Sequence, residues 1–237
     1  MKWTIEQITI KLNDIKTKGF IPIPQGMYRR DEGVIGQILE REFNITENNL
    51  SIRDLGNFEL KGMRKKSGTL TLCHKTTESG LTPIQIFDRF GYIRPSKRDQ
   101  SVLKKKLFTT VTGTKQNSLG FILKSPDPTS IDMFHGEEFI CGWNLEESME
   151  KIDQIILVIA ETLGKTLARD EQFHFIEAFL LDELKNMDEL VESGVIVIDF
   201  CIDQPVGSAR GPHDRGPHIR IPKSKLLNGY RDVKRIL

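Results

Sequence analysis

A mixed α/β architecture is what this chain predicts. Apolar residues at Ile5, Ile8, Leu12 and Ile15 recur at helical spacing, which buries one face of an N-terminal helix. The stretches IILVIAETL (155–163) and VIVIDFCI (195–202) are instead apolar runs rich in β-branched residues, the pattern of strands covered on both faces. With 237 residues and 38% hydrophobic content, the chain is long enough for one large domain or two lobes around a sizeable core.

In chain order, the first helix is predicted over Trp3 to Lys18, and Gly19 ends it. Residues 20–30 contain Pro22 and Pro24 and read as an extended connection. A second helix is predicted from Val34 to Phe43, with Ile35, Ile38 and Leu39 on one side and Glu40 one position beyond that stripe. Gly62 and the following KKSG suggest a turn joining two extended runs, Asn57 to Lys61 and Thr69 to His74, as a hairpin. Between Asp170 and Glu192 the apolar spacing is helical. A boundary near Thr112 to Lys115 divides the chain into lobes 1–114 and 115–237. No internal repeat or low-complexity stretch interrupts this order.

Charge and cysteine usage exclude several classes. The three cysteines, Cys73, Cys141 and Cys201, are far apart and form no CxxC or Cys/His pattern, which removes a disulfide scaffold and a structural zinc site. The N-terminal MKWTIEQITIKLNDIK is broken by charges, unlike a signal peptide, and no later stretch suits a membrane span; a soluble cytoplasmic protein is expected. The net charge of +1 hides strong local polarity. Residues 89–106 hold seven Lys/Arg against Asp99, a balance of +6, and residues 204–237 hold eight against Asp214 and Asp232, again +6. Residues 129–162 and 170–192 each hold eight Asp/Glu against one Lys, −7 apiece. Such a chain can present a basic surface to a polyanion and acidic faces to solvent.

The segment most informative about chemistry is Asp54-Leu-Gly-Asn-Phe-Glu59-Leu-Lys61-Gly. In an extended strand alternate side chains share a face, so Glu59 and Lys61 point one way and Phe58 and Leu60 the other. Asp54, beside Gly56, can turn back so that its carboxylate approaches that of Glu59. Two converging carboxylates repel unless a cation lies between them, and hard oxygen ligands suit Mg²⁺. Lys61 would then orient an attacking water and stabilise charge developing on a phosphate. Glu40, on the preceding helix, is the candidate for a further carboxylate.

The helix GVIGQILEREF, the strand RDLGNFELKGMR and the downstream GPHDRGPHIRIP together resemble the BcnI/MvaI group of type II restriction endonucleases, in the MutH-related branch of the PD-(D/E)xK nucleases. QIFDRFGYIRP, KKKLFTT, EQFHF and FCIDQ fit the same likeness, which spans nearly the whole chain and is closer to the BcnI-like subgroup. The resemblance implies a PD-(D/E)xK core, a central mixed β-sheet flanked by helices, with two lobes around a DNA cleft. It further implies a Mg²⁺-dependent enzyme acting on double-stranded DNA at a short CC-N-GG-type site. A monomer that nicks one strand and then the other is implied too, with a cognate DNA methyltransferase in the same system. By position, Asp54, Glu59, Lys61 and Glu40 match the catalytic residues, and Asp54, Glu59 and the Leu60 backbone carbonyl match the metal ligands. His74 and His218 match two histidines that read the central base pair, which favours CCSGG (S is C or G) over CCWGG (W is A or T). An imidazole N–H can donate to guanine N7 or O6.

The stretch Arg210-Gly-Pro-His213-Asp214-Arg215-Gly-Pro-His218-Ile-Arg220 is also legible without the family. Two Gly-Pro pairs hold it out of a helix, and its side chains are donor-rich with one acceptor, Asp214. Arginine pairs bidentately with guanine and aspartate accepts from cytosine N4, so the loop suits a G·C-rich target. Arg94, Lys97, Arg98 and Lys104 to Lys106 are expected to face phosphates, which position a duplex without specifying sequence. A mismatch-repair nicking enzyme like MutH, or a DNA-binding protein with a decayed site, are the competing functions. The Gly-Pro-His loop disfavours the first, and intact Asp54, Glu59 and Lys61 disfavour the second.

Overall fold

Thr4 opens helix α1 (Ile5–Thr17) by accepting the Gln7 N–H while the Gln7 side chain accepts the Thr4 N–H, so two donors that a helix leaves open are satisfied reciprocally. The helix is followed by Gly19 in the left-handed region at φ 69°, as expected from the sequence. Next come β1 (Ile21–Pro22), α2 (Val34–Glu42), β2 (Glu59–Arg64), β3 (Thr69–His74), β4 (Ser79–Gly80), α3 (Pro83–Phe90) and β5 (Tyr92–Pro95). Strands β6 (Leu103–Thr112), β7 (Phe121–Lys124), β8 (Ser130–His135) and β9 (Glu138–Asn144) lead to α4 (Glu146–Ile152). The remainder is β10 (Ile155–Leu163), β11 (Gln172–Leu184), α5 (Met187–Glu192), β12 (Val197–Pro205), β13 (His213–Asp214), β14 (His218–Pro222), a 3-10 turn (Lys223–Asn228) and β15 (Tyr230–Arg235). This computed structural model describes residues 2–25, 33–45, 53–165 and 170–237. The expected extended connection 20–30 lies outside the described residues from 26 onward.

The chain forms two units. The first gathers Met1–Gly68, Glu150–Leu184 and Tyr230–Leu237; the second gathers Thr69–Met149 and Lys185–Gly229. The expected division at 114/115 matches none of the four boundaries, since residue 114 lies inside the second unit. Sequence proximity misled because β2 and β10, far apart along the chain, are partners in one sheet.

In the first unit the sheet runs β1-β11-β10-β2, with β15 also on β11. Its β2–β10 pair is parallel and the others antiparallel, so the sheet is mixed. One face of β10 (Ile156, Val158, Ala160) packs with Ile8, Leu12 and Ile15 of α1 and Ile35, Ile38 and Leu39 of α2 in one apolar core. Ile155, Leu157 and Ile159, which alternate with them, are buried too. The two-sided burial expected of this run is therefore observed. Each fully buried branched aliphatic side chain contributes roughly 1.5–3 kcal/mol.

Two expectations are corrected. Strands β2 and β3 do not form a hairpin: β2 runs parallel to β10, and β3 pairs with β14 in the second unit's six-stranded sheet, ordered β3-β14-β12-β6-β5 with β13 on β12. Ser67 N–H does bond the Arg64 carbonyl, but that turn passes the chain from one sheet to another. Gly62 lies inside β2, and its missing side chain admits α2: a Cβ there would stand 3.2 Å from Ile35 Cγ1 and 3.3 Å from the Ile35 carbonyl oxygen. The segment 170–192 is mostly strand β11, with a helix only at Met187–Glu192. A bulge leaves Ile176 without an opposite residue, so Ala160 faces Phe175 and Val158 faces Ala178, three positions on. Leu181, opposite Ile155, is buried on the other face. Bulge and two-sided burial together imitate helical spacing. The second unit also holds the four-stranded sheet β4-β9-β8-β7.

Candidate active site and base-reading face

Strand β2 lies at one end of its sheet's order, beyond β10. In a parallel pair alternate residues turn both main-chain groups toward the partner. Glu59 N–H bonds the Gln154 carbonyl at 2.9 Å on the β10 side, so the N–H and C=O of Leu60 face the open edge. There the Leu60 N–H donates to Asp54 Oδ2 at 3.1 Å. Asp54 reaches that point because the chain turns through Gly56, whose φ of 82° a side chain would strain, and Leu55 N–H closes the turn on the Phe58 carbonyl at 2.9 Å. Arg53 anchors the loop, its guanidinium donating to the carbonyls of Asn57 and Glu150 and to Gln154 Oε1 at 3.1 Å.

Phe58 and Leu60 enter the core and Glu59 and Lys61 share the other face, as the alternation predicts. Glu59 Oε1 accepts from Lys61 Nζ at 3.1 Å. Glu59 is buried, and its Oε2 has no hydrogen-bond partner among the described residues, lying 3.5 Å from Lys151 Nζ. A buried carboxylate oxygen left in that state is expensive. A divalent cation held by Asp54, Glu59 and the open-edge Leu60 carbonyl would satisfy it. No cluster of three or more His, Cys, Asp or Glu residues suited to a metal occurs among the described residues. The donors that Asp54, Glu59 and Leu60 would offer are carboxylate and carbonyl oxygens, which suit a hard cation such as Mg²⁺. Glu40 is half-buried on α2, the helix packed on β2, and its Oε1 lies 3.8 Å from the position of a Cβ on Gly36.

The second unit places the remaining predicted residues on or beside its six-stranded sheet. Register aligns His74, His218, Asp199 and Thr110 in one row across β3, β14, β12 and β6, and residues opposite one another share a face. The two histidine rings meet edge to face with centroids 4.2 Å apart. Asp199 Oδ2 accepts from Arg220 Nη1 at 2.7 Å, and Asp199 Oδ1 accepts from the Thr110 hydroxyl. Burial, reinforced by the neighbouring His74 and Arg220, lowers the His218 pKa to about 4. Arg210, His213, Asp214 and Arg215 are exposed on the loop and on β13. Asp214 Oδ1 accepts the Gly216 N–H at 2.8 Å, which shapes the turn, and His213 Nδ1 lies 4.0 Å from Asp203 Oδ1.

Of the basic run 104–106, Lys104 pairs with Asp203 at 2.8 Å, while Lys106 is buried and donates to the Pro95 carbonyl at 2.7 Å. Lys106 therefore faces protein, not phosphate. Sequence reasoning missed Lys151, which sits in the acidic stretch EESMEK and gives no local signal. It also missed Asp199, for which a signal exists: a carboxylate interrupting the apolar run VIVIDFCI.

The low His218 pKa has a measurable consequence. An unfolded histidine titrates near 6.5. Between about 6.5 and the folded value of about 4, acid is taken up by the unfolded chain and not by the folded one, so stability falls as pH falls. The expected result for His218→Asn is a flatter dependence of Tm on pH across that window. The loss of stability from neutral pH to pH 4 should be about 3 kcal/mol smaller in the variant than in wild type, read by thermal unfolding at several pH values.

An end strand that sets a carboxylate and a lysine on one face, a second carboxylate turned back against it and helices packed on a mixed sheet together define a PD-(D/E)xK-type nuclease core. A family model described as the MvaI/BcnI restriction endonuclease family matches residues 9–230, and the chain belongs to that family. It is thus a type II site-specific deoxyribonuclease. The fold is similar to that of restriction endonuclease MvaI in complex with its cognate DNA substrate, with a TM-score of 0.73 and 19% identity over 100% of both chains. It is also similar to MvaI in the absence of DNA, with a TM-score of 0.51 and 20% identity over 100% of this chain and 99% of the other. Comparison with curated proteins gives no significant match.

Proposed function

We propose that this endonuclease hydrolyses double-stranded DNA in a Mg²⁺-dependent reaction at a CC-N-GG-type site, with CCSGG the favoured form. The observation that carries the reading is the arrangement at β2: Asp54 accepts from the Leu60 N–H at the open edge, Glu59 and Lys61 pair on one face, and one buried Glu59 oxygen lacks a hydrogen bond among the described residues. Asp54, Glu59 and the Leu60 carbonyl would hold the cation, which would supply Lewis-acid polarisation of the phosphate and a more nucleophilic water. Lys61 orients the attacking water and stabilises negative charge as it develops on the phosphate. Glu40 assists from α2. The products carry 5′-phosphate and 3′-hydroxyl ends. The first unit thus supplies hydrolysis and the second supplies base reading, through His74 and His218 at the central pair and Arg210, His213, Asp214 and Arg215 around it. The enzyme acts as a monomer, nicking the strands in turn, in the cytoplasm beside a methyltransferase of the same specificity.

Sequencing the ends of a plasmid digested with Mg²⁺ tests the site and the cut position together. Cleavage at CCSGG and not at CCWGG is expected. His74→Ala and His218→Ala should weaken selection at the central pair by roughly 5- to 100-fold and leave the outer pairs selected, since one base-edge contact discriminates by about 1–3 kcal/mol. Equal loss at every position would oppose base reading by these histidines.

A further inference from the structure

The row of polar side chains across the second unit's sheet assigns a proton. We propose that Arg220 is a positioning residue that fixes His218 as its Nε2–H tautomer, making His218 a committed hydrogen-bond donor to the base it faces. The role in base reading rests on the function proposed above; the tautomer does not.

Arg220 Nη2 lies 3.3 Å from His218 Nδ1, and Arg220 Nη1 donates to Asp199 Oδ2 at 2.7 Å. A guanidinium has only donors and does not lose its proton in proteins. His218 Nδ1 must therefore present its lone pair, and a neutral imidazole then carries its single N–H on Nε2. Neutrality is secured by the surroundings: burial of the residue comes first, and the His74 ring and the Arg220 and Arg215 cations also disfavour an added proton, against Asp199 favouring it. Asp199 stands directly opposite His218 in the register, yet its two oxygens are taken by Thr110 and Arg220. The carboxylate holds the guanidinium, and the guanidinium holds the ring.

Two consequences follow. Arg220, expected from the sequence to contact DNA, is half-buried, bonds Asp199 within the protein and specifies bases through His218. An Nε2–H donor is complementary to guanine N7 or O6 and cannot accept from cytosine N4 or adenine N6. That choice is made before DNA arrives.

The test is a long-range ¹H–¹⁵N spectrum of the DNA-free, ¹⁵N-labelled full chain, with the His218 signals assigned by their loss in His218→Asn. Expected is a pyridine-type Nδ1 and a pyrrole-type Nε2 in the wild type, unchanged from about pH 8 to pH 5 because the folded pKa is about 4. A pyrrole-type Nδ1, or a doubly protonated ring at pH 6, in the wild type overturns the assignment. In Arg220→Met the ring should relax to a mixture of tautomers, and discrimination at the central pair should fall about tenfold, the size of one base-edge contact. Arg220→Lys, which keeps a donor-only group, should recover part of both. An unchanged tautomer in Arg220→Met overturns the positioning role. If the tautomer shifts as expected and central-pair discrimination does not, the base-reading function fails while the proton assignment stands.

Discussion

Glu59→Gln is expected to lower DNA cleavage by on the order of a thousandfold or more while leaving duplex binding nearly intact. The substitution keeps shape and removes charge from a side chain that is 6% exposed and lies between Lys61 at 3.1 Å and Lys151 at 3.5 Å. An amide cannot balance those two ammonium groups, and its nitrogen cannot bind a cation. Asp54→Asn should act in the same direction, because the amide oxygen can still accept from Leu60 N–H while the second charge at the site is lost. Binding is expected to survive because the side chains proposed to meet phosphates and bases are other ones. Single-turnover cleavage beside a gel-shift titration measures both quantities, and circular dichroism confirms that the variants are folded. Cleavage by Glu59→Gln within tenfold of wild type would remove Glu59 from the catalytic group.

The second large effect concerns the far end of the same strand. Glu171→Ala should destabilise the first unit by about 3–5 kcal/mol, the cost of leaving a buried charge without its partner. Arg64 grips Glu171 as a fork, Nε to Oε1 at 2.7 Å and Nη2 to Oε2 at 2.9 Å, with side-chain exposures of 11% and 5%. The guanidinium also lies over the Phe173 ring, 5.3 Å from its centroid. Charge assistance and two parallel bonds make this geometry a strong one. Replacing both partners, Arg64→Met with Glu171→Met, should cost much less than either single change, since no orphaned charge remains. Urea unfolding of the three variants gives the comparison, and a single-variant loss below about 1 kcal/mol would show that solvent reaches the pair.

What the sequence revealed was what depends on near neighbours. The N-terminal helix, its glycine stop, the second helix and the shared face of Glu59 and Lys61 follow from periodicities of a few residues, and each is found in place. The hairpin failed because β2 takes its partner from β10, and no local pattern announces a partner so distant. The helical reading of 170–192 failed for a different reason: the bulge at Ile176 resets the alternation and the strand is buried on both faces. The site divides along the same line. Asp54, Glu59 and Lys61 lie within eight consecutive positions and were found together, whereas Lys151 and Asp199 reach their partners through tertiary structure. The lobe boundary suffered likewise, because contiguity along the chain was assumed where the fold interleaves its segments.

The parallel pairing of β2 with β10 also bears on how the enzyme is made. A ribosome delivers β2 well before Ile155 to Leu163, so for much of synthesis the strand bearing Glu59 and Lys61 lacks the neighbour that fixes it. If Glu59 and Lys61 do the cutting, as proposed above, a polypeptide that ends before Ile155 lacks the strand that pairs with theirs and should leave the chromosome of its own cell uncut.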